Sequence, residues 1–408
     1  MNKVLMLVWE LPPNISGGLG IACDGILSGL ASQANVITTV IAPSLSGLEE
    51  AHGARLFDAG LSADQVEISS YSISFGQMHK VQEFARKAMN IELYGGADVI
   101  HAHDWLTIPA ALALRNRINC PILLHLHSTE FERAGPGASD DIVQLELEGM
   151  KAADLVVTVS ERTRSTIVRK YGIAPDKVKV VYNGISKFKQ TKKLMLLKER
   201  ENIVTFVGRI TYQKGPINFI NIAEQLALRD KNIRFVMAGD GDMIEQCRKI
   251  TRKLGLSERF SFPGFLDHNE VHKLLMHSKL FIMPSIYEPF GLVALEAIAA
   301  GVPAMISKTS GVAEIIKSLI AFDPRNINSA TRIASEILND SELAMSVVKK
   351  ATAEIEHFDW IKVASEIGQL YSELSKSPRK AITVYKTDFI PKNVSAVEHD
   401  FSTRYVEI

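Results

Sequence analysis

The chain has 408 residues, enough for two or three domains of ordinary size. Its 46% hydrophobic and 23% charged residues are ordinary for a soluble globular protein. Because 46 basic residues balance 46 acidic ones, no global field draws the chain to nucleic acid or to a membrane surface, and neither is expected as a partner.

The N-terminal stretch "MNKVLMLVWELPP" holds an apolar run too short for a signal peptide, and it reads as a first buried strand. Nothing approaches the ~20 apolar residues of a membrane span. Cys23, Cys120 and Cys247 lie far apart and match no metal-ligand spacing. That points to a reducing compartment and away from thiol catalysis, so a cytoplasmic location is expected.

Strand-length apolar runs follow in order at "VLMLVW", "NVITTVIA", "DVIHAH", "PILLHLH", "DLVVTV" and "KVKVVY". After residue 200 a second series begins, with "NIVTFV", "IRFVMAG", "FSFPG", "KLFIMPS" and "VPAMIS". Continuous Val- and Ile-rich runs alternating with helix-length segments predict parallel strands buried on both faces, in doubly wound α/β sheets. Both series open with a strand, a glycine-bearing loop and a helix, as if one architecture were used twice. The expected organisation is a first domain over 1–186, a linker over 187–200 and a second domain over 201–356. An amphipathic helix over 357–376 and a tail of unassigned role over 377–408 complete it.

In open α/β sheets ligands bind outside the carboxyl ends of the strands. The loop "SGGLG", with Gly17, Gly18 and Gly20, puts bare amides beside a helix start and suits a phosphate, although a glycine turn without a ligand looks the same. Arg209 and Lys214 precede a helix expected to begin near Pro216. Cations there oppose the helix dipole, a conflict that an anion such as a diphosphate would remove.

Two glutamates in "SIYEPFGLVALEAIAAGVP" ask for a reason. A capping box of Ser285 with Glu288 is disfavoured by Pro289, so the helix is expected to start at Pro289 with Glu288 at its cap. Glu296, among small apolar residues, needs either a salt bridge or the hydroxyls of a ligand. "HAHDWLT" and "LHLHSTEFERAG" suggest a metal through His101, His103, His125 and His127. Alternating histidines along a strand are expected to point to opposite faces, which argues against a metal and leaves His101 and His125 in the core and His127 and Asp104 in the cleft. "GDGD" at 239–242 reads as a structural turn rather than a cation site.

Taken together, these motifs resemble retaining glycosyltransferases of the GT-B fold, the family 4, group 1 type, and within it the glycogen-synthase-like members. The resemblance covers residues 1 to about 375. It rests on Glu288-Pro-Phe-Gly-Leu with Glu296, followed by "AAGVPAMISKTSGVAEII", and on "VGRITYQKGP", "SGGLG" and "HAHDW" in register. It implies two Rossmann-like domains facing a cleft, with the last helix crossing back to the first domain. It also implies a hexose, glucose first, moved from a nucleoside-diphosphate sugar such as UDP- or ADP-glucose to a saccharide or glucan hydroxyl. In that arrangement Arg209 and Lys214 neutralise the diphosphate, and Gly18, Gly291 and Leu292 offer backbone amides. Glu296 holds the ribose, while Glu288, His127 and Asp104 meet the donor sugar. No metal and no other cofactor is implied.

Ile15 stands where bacterial glycogen synthases carry a lysine, which departs from an ADP-glucose polymer synthase. A GT-B epimerase or a non-catalytic nucleotide-sugar or glycan binding protein is the alternative, and the intact Arg209, Lys214, Glu288 and Glu296 argue for chemistry.

Overall fold

The computed structural model describes residues 1–62, 66, 75–93, 96–185 and 199–377. Most of the linker expected over 187–200, and all but the first residue of the tail expected over 377–408, lie outside the described residues.

Two sheets organise the chain. The first contains β1 (Asn2–Leu7), β2 (Val36–Ala42), β3 (Glu50–Ala51), β4 (Ala54–Asp58), β5 (Val99–His103), β6 (Ile122–Leu126), β7 (Leu155–Thr158) and β8 (Val178–Val180). Their order is β3-β4-β2-β1-β5-β6-β7-β8, and every pairing is parallel except β3 with β4. The second contains β9 (Ile203–Val207), β10 (Arg234–Ala238), β11 (Phe260–Gly264), β12 (Leu280–Met283), β13 (Ala304–Ser307) and β14 (Ile320–Phe322). It is wholly parallel, in the order β11-β10-β9-β12-β13-β14.

The unbroken apolar runs have the cause the sequence suggests. Every residue of β5, β6, β12 and β13 is buried, because helices cover both sheet faces. Each sheet also reverses its strand order once, between β1 and β5 in the first and between β9 and β12 in the second. Such reversals open a crevice at the carboxyl ends of the strands, where doubly wound sheets take their ligands.

The helix Trp360–Lys376 belongs to the first core rather than the second. Its apolar face, with Trp360, Ala364, Ile367, Tyr371 and Leu374, packs into the cluster that holds Val4, Cys23 and Ile26. Asp359 caps it by accepting from Lys362 N at 2.8 Å. The chain passes between the sheets at two adjacent points, where Ile185 N donates to Phe358 O at 3.0 Å.

Gly25 and Gly29, on the helix Gly18–Leu30, make this docking possible. A methyl at Gly25 would land inside the Trp360 ring, and one at Gly29 would land on the Trp360 carbonyl. Gly29→Ala is therefore expected to destabilise the protein by about 1–3 kcal/mol from overpacking, even though replacing a helical glycine returns up to ~1 kcal/mol. Urea unfolding measures this, and an unchanged or raised midpoint would refute the close approach.

Candidate active site

On the side of the second sheet, two loops leave adjacent strands at the crevice. One leaves β9 through Gly208 and Arg209, makes a short 3-10 turn over Tyr212–Lys214 and enters the helix Pro216–Arg229. The proline sits at the start of that helix, where its missing N–H costs nothing. The other leaves β12 and runs from Pro284 to Gly291 before the helix Leu292–Ala299.

Lys214 and Glu288 join the two loops. The Lys214 ammonium donates to Glu288 Oε1 at 2.9 Å and to Oε2 at 2.7 Å, and Ser285 Oγ donates to Oε2 at 2.9 Å. Glu288 is 4% exposed, so its charge is held by these partners rather than by water. Its carbonyl accepts from Gly311 N at 3.0 Å, which ties the loop to the segment after β13. The cation beside a helix start thus has its anion, supplied here by the protein.

The helix begins three residues later than the sequence suggested. Its cap is Gly291, not Glu288, and Gly291 adopts φ +110°, a conformation open to glycine and strained for other residues. The chain turns into the helix only after Pro289 and Phe290 have passed, and this leaves Glu288 on an irregular loop facing Lys214. Ser285 and Glu288 do bond to each other, but through their side chains, and they cap no helix.

Glu296 lies one turn into that helix and is 6% exposed. His268 Nδ1 approaches its Oε1 at 3.7 Å. Burial raises its pKa above the ordinary carboxylate value, and the nearby His268 opposes that rise. Such a group gains from any ligand that donates hydrogen bonds to it.

On the side of the first sheet, Trp9 and Glu10 follow the end of β1 at Leu7, and Asp104 follows the end of β5 at His103. Glu10 pins the glycine loop: its Oε1 accepts from Ser16 Oγ at 2.5 Å and its Oε2 from Ser16 N at 3.2 Å. Burial raises its pKa, while the Ser16 bonds and the charge of Arg209 pull it down. Gly17 caps the helix that begins at Gly18. A methyl at Gly18 would stand 3.8 Å from Leu292 Cδ1, so the glycine loop of one sheet faces the helix start of the other.

Asp104 is a non-glycine residue at φ +57°, a strained backbone at the crevice. Its Oδ1 accepts from His127 N at 2.6 Å, which aligns the ends of β5 and β6. Burial pushes the Asp104 pKa up to about 6 against the opposing charges of Arg133 and Arg209.

The four histidines correct the expectation made for them. Residues two apart on a strand share a face, and β5 and β6 are neighbours, so His101, His103, His125 and His127 form one stack. Ring centroids lie 4.1 to 5.4 Å apart, with His125 and His127 tilted by only 15°. His103 Nδ1 meets His127 Nε2 at 2.9 Å, and His101 Nδ1 meets the Tyr371 hydroxyl at 2.6 Å. Burial holds His101 and His127 down to about 3, and His103 and His125 well below their ordinary value. Their nitrogens come close enough to suggest an ion. A metal must lie in the plane of each imidazole it binds, however, and these rings face one another with tilts of 12° to 39°, an arrangement that favours stacking over a shared ligand point. The stack reads as a core of neutral imidazoles whose last member, His127, reaches the crevice.

Other candidates fall outside the site. Glu130 is buried in a network with Arg133, Ser139 and Glu146, which anchors the segment after β6. Asp240 and Asp242 are exposed, and their turn bonds by backbone to Ile210, at 2.8 Å from Ile210 N and 3.0 Å from Met243 N. Sequence reasoning missed Glu10, and it named Ser285 and His103 without giving them a place in the site. Glu10 had a readable signal, as a carboxylate directly after the first buried strand. Among the described residues no helix is long and apolar enough to cross a membrane.

With two switch-point crevices face to face, comparison with known proteins becomes specific. The profile "Glycosyltransferase Family 4" matches residues 16–187, and "Glycosyl transferases group 1" matches residues 187–354. A glycosyltransferase of Methanocaldococcus jannaschii, itself uncharacterised, is 31% identical over 390 residues, covering 90% of this chain and 97% of that one. The chain is a group 1 glycosyltransferase of the GT-B type. A glycogen synthase of Mycobacterium tuberculosis is 26% identical over 398 residues, covering 93% of this chain and 96% of its own. Among solved structures, sucrose-phosphate synthase from Thermosynechococcus elongatus superposes with a TM-score of 0.75 at 20% identity, over 92% of this chain and 99% of that one. This group 1 enzyme is thus similar in sequence to a glycogen synthase and shares its fold with sucrose-phosphate synthase.

Proposed function

We propose that the enzyme moves a hexose, glucose, from a nucleoside-diphosphate sugar to a hydroxyl of a saccharide or glucan, with retention at the anomeric carbon. The Lys214–Glu288 pair carries this reading, since it sets a cation and a carboxylate at the crevice beside the Gly291–Leu292 helix start. In this reading a diphosphate lies against Lys214, Arg209 and the amides of Gly18, Gly291 and Leu292. The ribose hydroxyls reach Glu296, and the sugar lies between Glu288 and the Asp104–His127 edge. UDP- and ADP-glucose are the donors to test first, given solved structures of similar fold in complex with UDP-glucose (an Anabaena protein) and with ADP (starch synthase IV of Arabidopsis thaliana).

Retention needs a carboxylate nucleophile behind the anomeric carbon, or attack on the face the diphosphate leaves. Both Glu288 oxygens are engaged by Lys214 and Ser285, on the diphosphate side of the crevice. Same-face attack fits this better: the acceptor oxygen bonds to the anomeric carbon as the C–O bond to the diphosphate breaks. The acceptor proton passes to the departing phosphate oxygen, and Glu288 steadies the positive charge that develops on the sugar.

A screen of UDP-, ADP- and GDP-sugars for nucleotide release, with the product's configuration read by NMR, tests the whole reading. An inverted product, or a glycosyl adduct on Glu288, would overturn it. Arg209, Lys214 and the helix amides supply the charge that a cation supplies elsewhere, so transfer is expected to survive EDTA. Loss of turnover restored by Mn²⁺ or Mg²⁺ would refute that.

A further inference from the structure

Glu314 lies beyond the residues given roles above, yet it makes a dense polar contact between the two halves. It belongs to a short 3-10 turn, Gly311–Glu314, that follows β13. From there its carboxylate crosses to the first domain. Oε2 accepts from Glu161 N at 2.8 Å, and Oε1 accepts from Arg162 N at 2.9 Å. The Tyr182 hydroxyl donates to Oε2 at 3.2 Å. Two backbone amides and a phenol from one domain thus converge on one carboxylate from the other.

The turn that carries Glu314 is also the turn that braces Glu288. Ser310 forms a parallel bridge with Glu288, and Gly311 N donates to the Glu288 carbonyl. Tyr182 stands three residues before Ile185, which is bonded to Phe358 where the chain passes between the sheets. One end of the turn therefore holds the backbone of the residue that carries the expected catalytic carboxylate, and the other end touches the first domain close to the crossing. The Arg162 guanidinium adds a bond to Lys308 O at 3.3 Å across the same boundary.

We propose that Glu314 is a positioning residue for transfer: it fixes the Glu288 loop relative to the first domain, with its Asp104–His127 edge, by holding that domain at the Glu161–Arg162 amides. This rests on the glycosyl-transfer reading above. Binding of the nucleotide draws mainly on the second domain, with the Gly18 amide from the first, and the Glu314 carboxylate bonds to none of these groups. Transfer needs both domains in register, and displacements on the order of 1 Å in a catalytic constellation cost about 100-fold in rate.

The test measures kcat, KM and the dissociation constant for the nucleoside diphosphate in Glu314→Ala, Glu314→Asp and Tyr182→Phe. Glu314→Ala is expected to lose roughly tenfold to 100-fold in kcat while the nucleoside diphosphate binds within about twofold of wild type. Glu314→Asp should recover part of that loss. Tyr182→Phe removes one donor and no carboxylate, so it should fold normally and show a smaller loss of kcat in the same direction. It decides the matter if the Glu314 variants fail to fold. Unchanged kcat in Glu314→Ala or, should that protein not fold, in Tyr182→Phe overturns the assignment, and so does a loss of nucleotide affinity that matches the loss of turnover. Absence of transfer by the wild-type enzyme with any donor would instead count against the glycosyl-transfer reading, and the two failures are thereby distinct.

Discussion

Glu288→Gln is expected to lower kcat by about 100- to 1000-fold, the cost of removing one well-placed group that stabilises developing charge. Donor binding should persist, because the substitution keeps the shape of the side chain and removes charge chiefly where the transition state needs it. The geometry sharpens the expectation. Lys214 and Ser285 both donate to the carboxylate, so an amide must turn its NH₂ toward one donor and lose that bond. The freed Lys214 would then be available to the diphosphate, so donor affinity should hold or rise as turnover falls. Lys214→Ala should cost turnover as well, and the double variant should cost less than the two single losses combined, because the pair acts as a unit. Steady-state kinetics with calorimetric donor binding measures each quantity. Wild-type kcat in Glu288→Gln would remove this carboxylate from the chemistry.

Most of the fold was legible because burial on both faces leaves a simple trace. Runs such as "NIVTFV" and "PILLHLH" are apolar at nearly every position, and each falls on a central strand. The strands that escaped notice, β3, β4 and β14, are short and lie at or beside sheet edges. In "ARLFD" an exposed Arg55 and Asp58 break the apolar run, since one side of an edge needs no cover. No local pattern could have disclosed them.

The site was legible in its residue types and less so in its geometry. Glu288 and Lys214 stood out because each breaks a local rule, and the structure makes them partners 74 positions apart. Their pairing depends on β9 and β12 being neighbours, which only the strand order supplies. The helix start was misplaced because Pro289 resembles a first helical residue, whereas the positive φ at Gly291 delays the turn. The histidines were misread by a parity error: a separation of two returns a side chain to the same face. The Glu314 contacts could not be read at all, since they join residues about 150 positions apart across the domain boundary.

The histidine stack leads to a second large effect, read as a difference between two proteins. His101 is fully buried, and burial holds its pKa down to about 3, against about 6.5 when unfolded. The folded state therefore takes up no proton on this ring until the pH nears 3, while the unfolded chain takes one up as pH falls through 6.5. Stability from this residue is complete above pH 6.5 and is lost as pH falls toward 3. At pH 4.5, two units below the unfolded value, the loss is roughly 3 kcal/mol for His101 alone. Raised carboxylates such as Asp104 have the opposite sign and offset part of the total, so the net acid curve is a poor test. A variant isolates the ring. His101→Asn cannot titrate, yet its amide can occupy the position of Nδ1 against the Tyr371 hydroxyl. It should be less stable than wild type at pH 7, and that deficit should shrink by roughly 3 kcal/mol at pH 4.5. Urea unfolding of both proteins at the two pH values gives the comparison. A deficit that stays constant from pH 7 to 4.5 would mean that His101 is not held neutral in the folded protein.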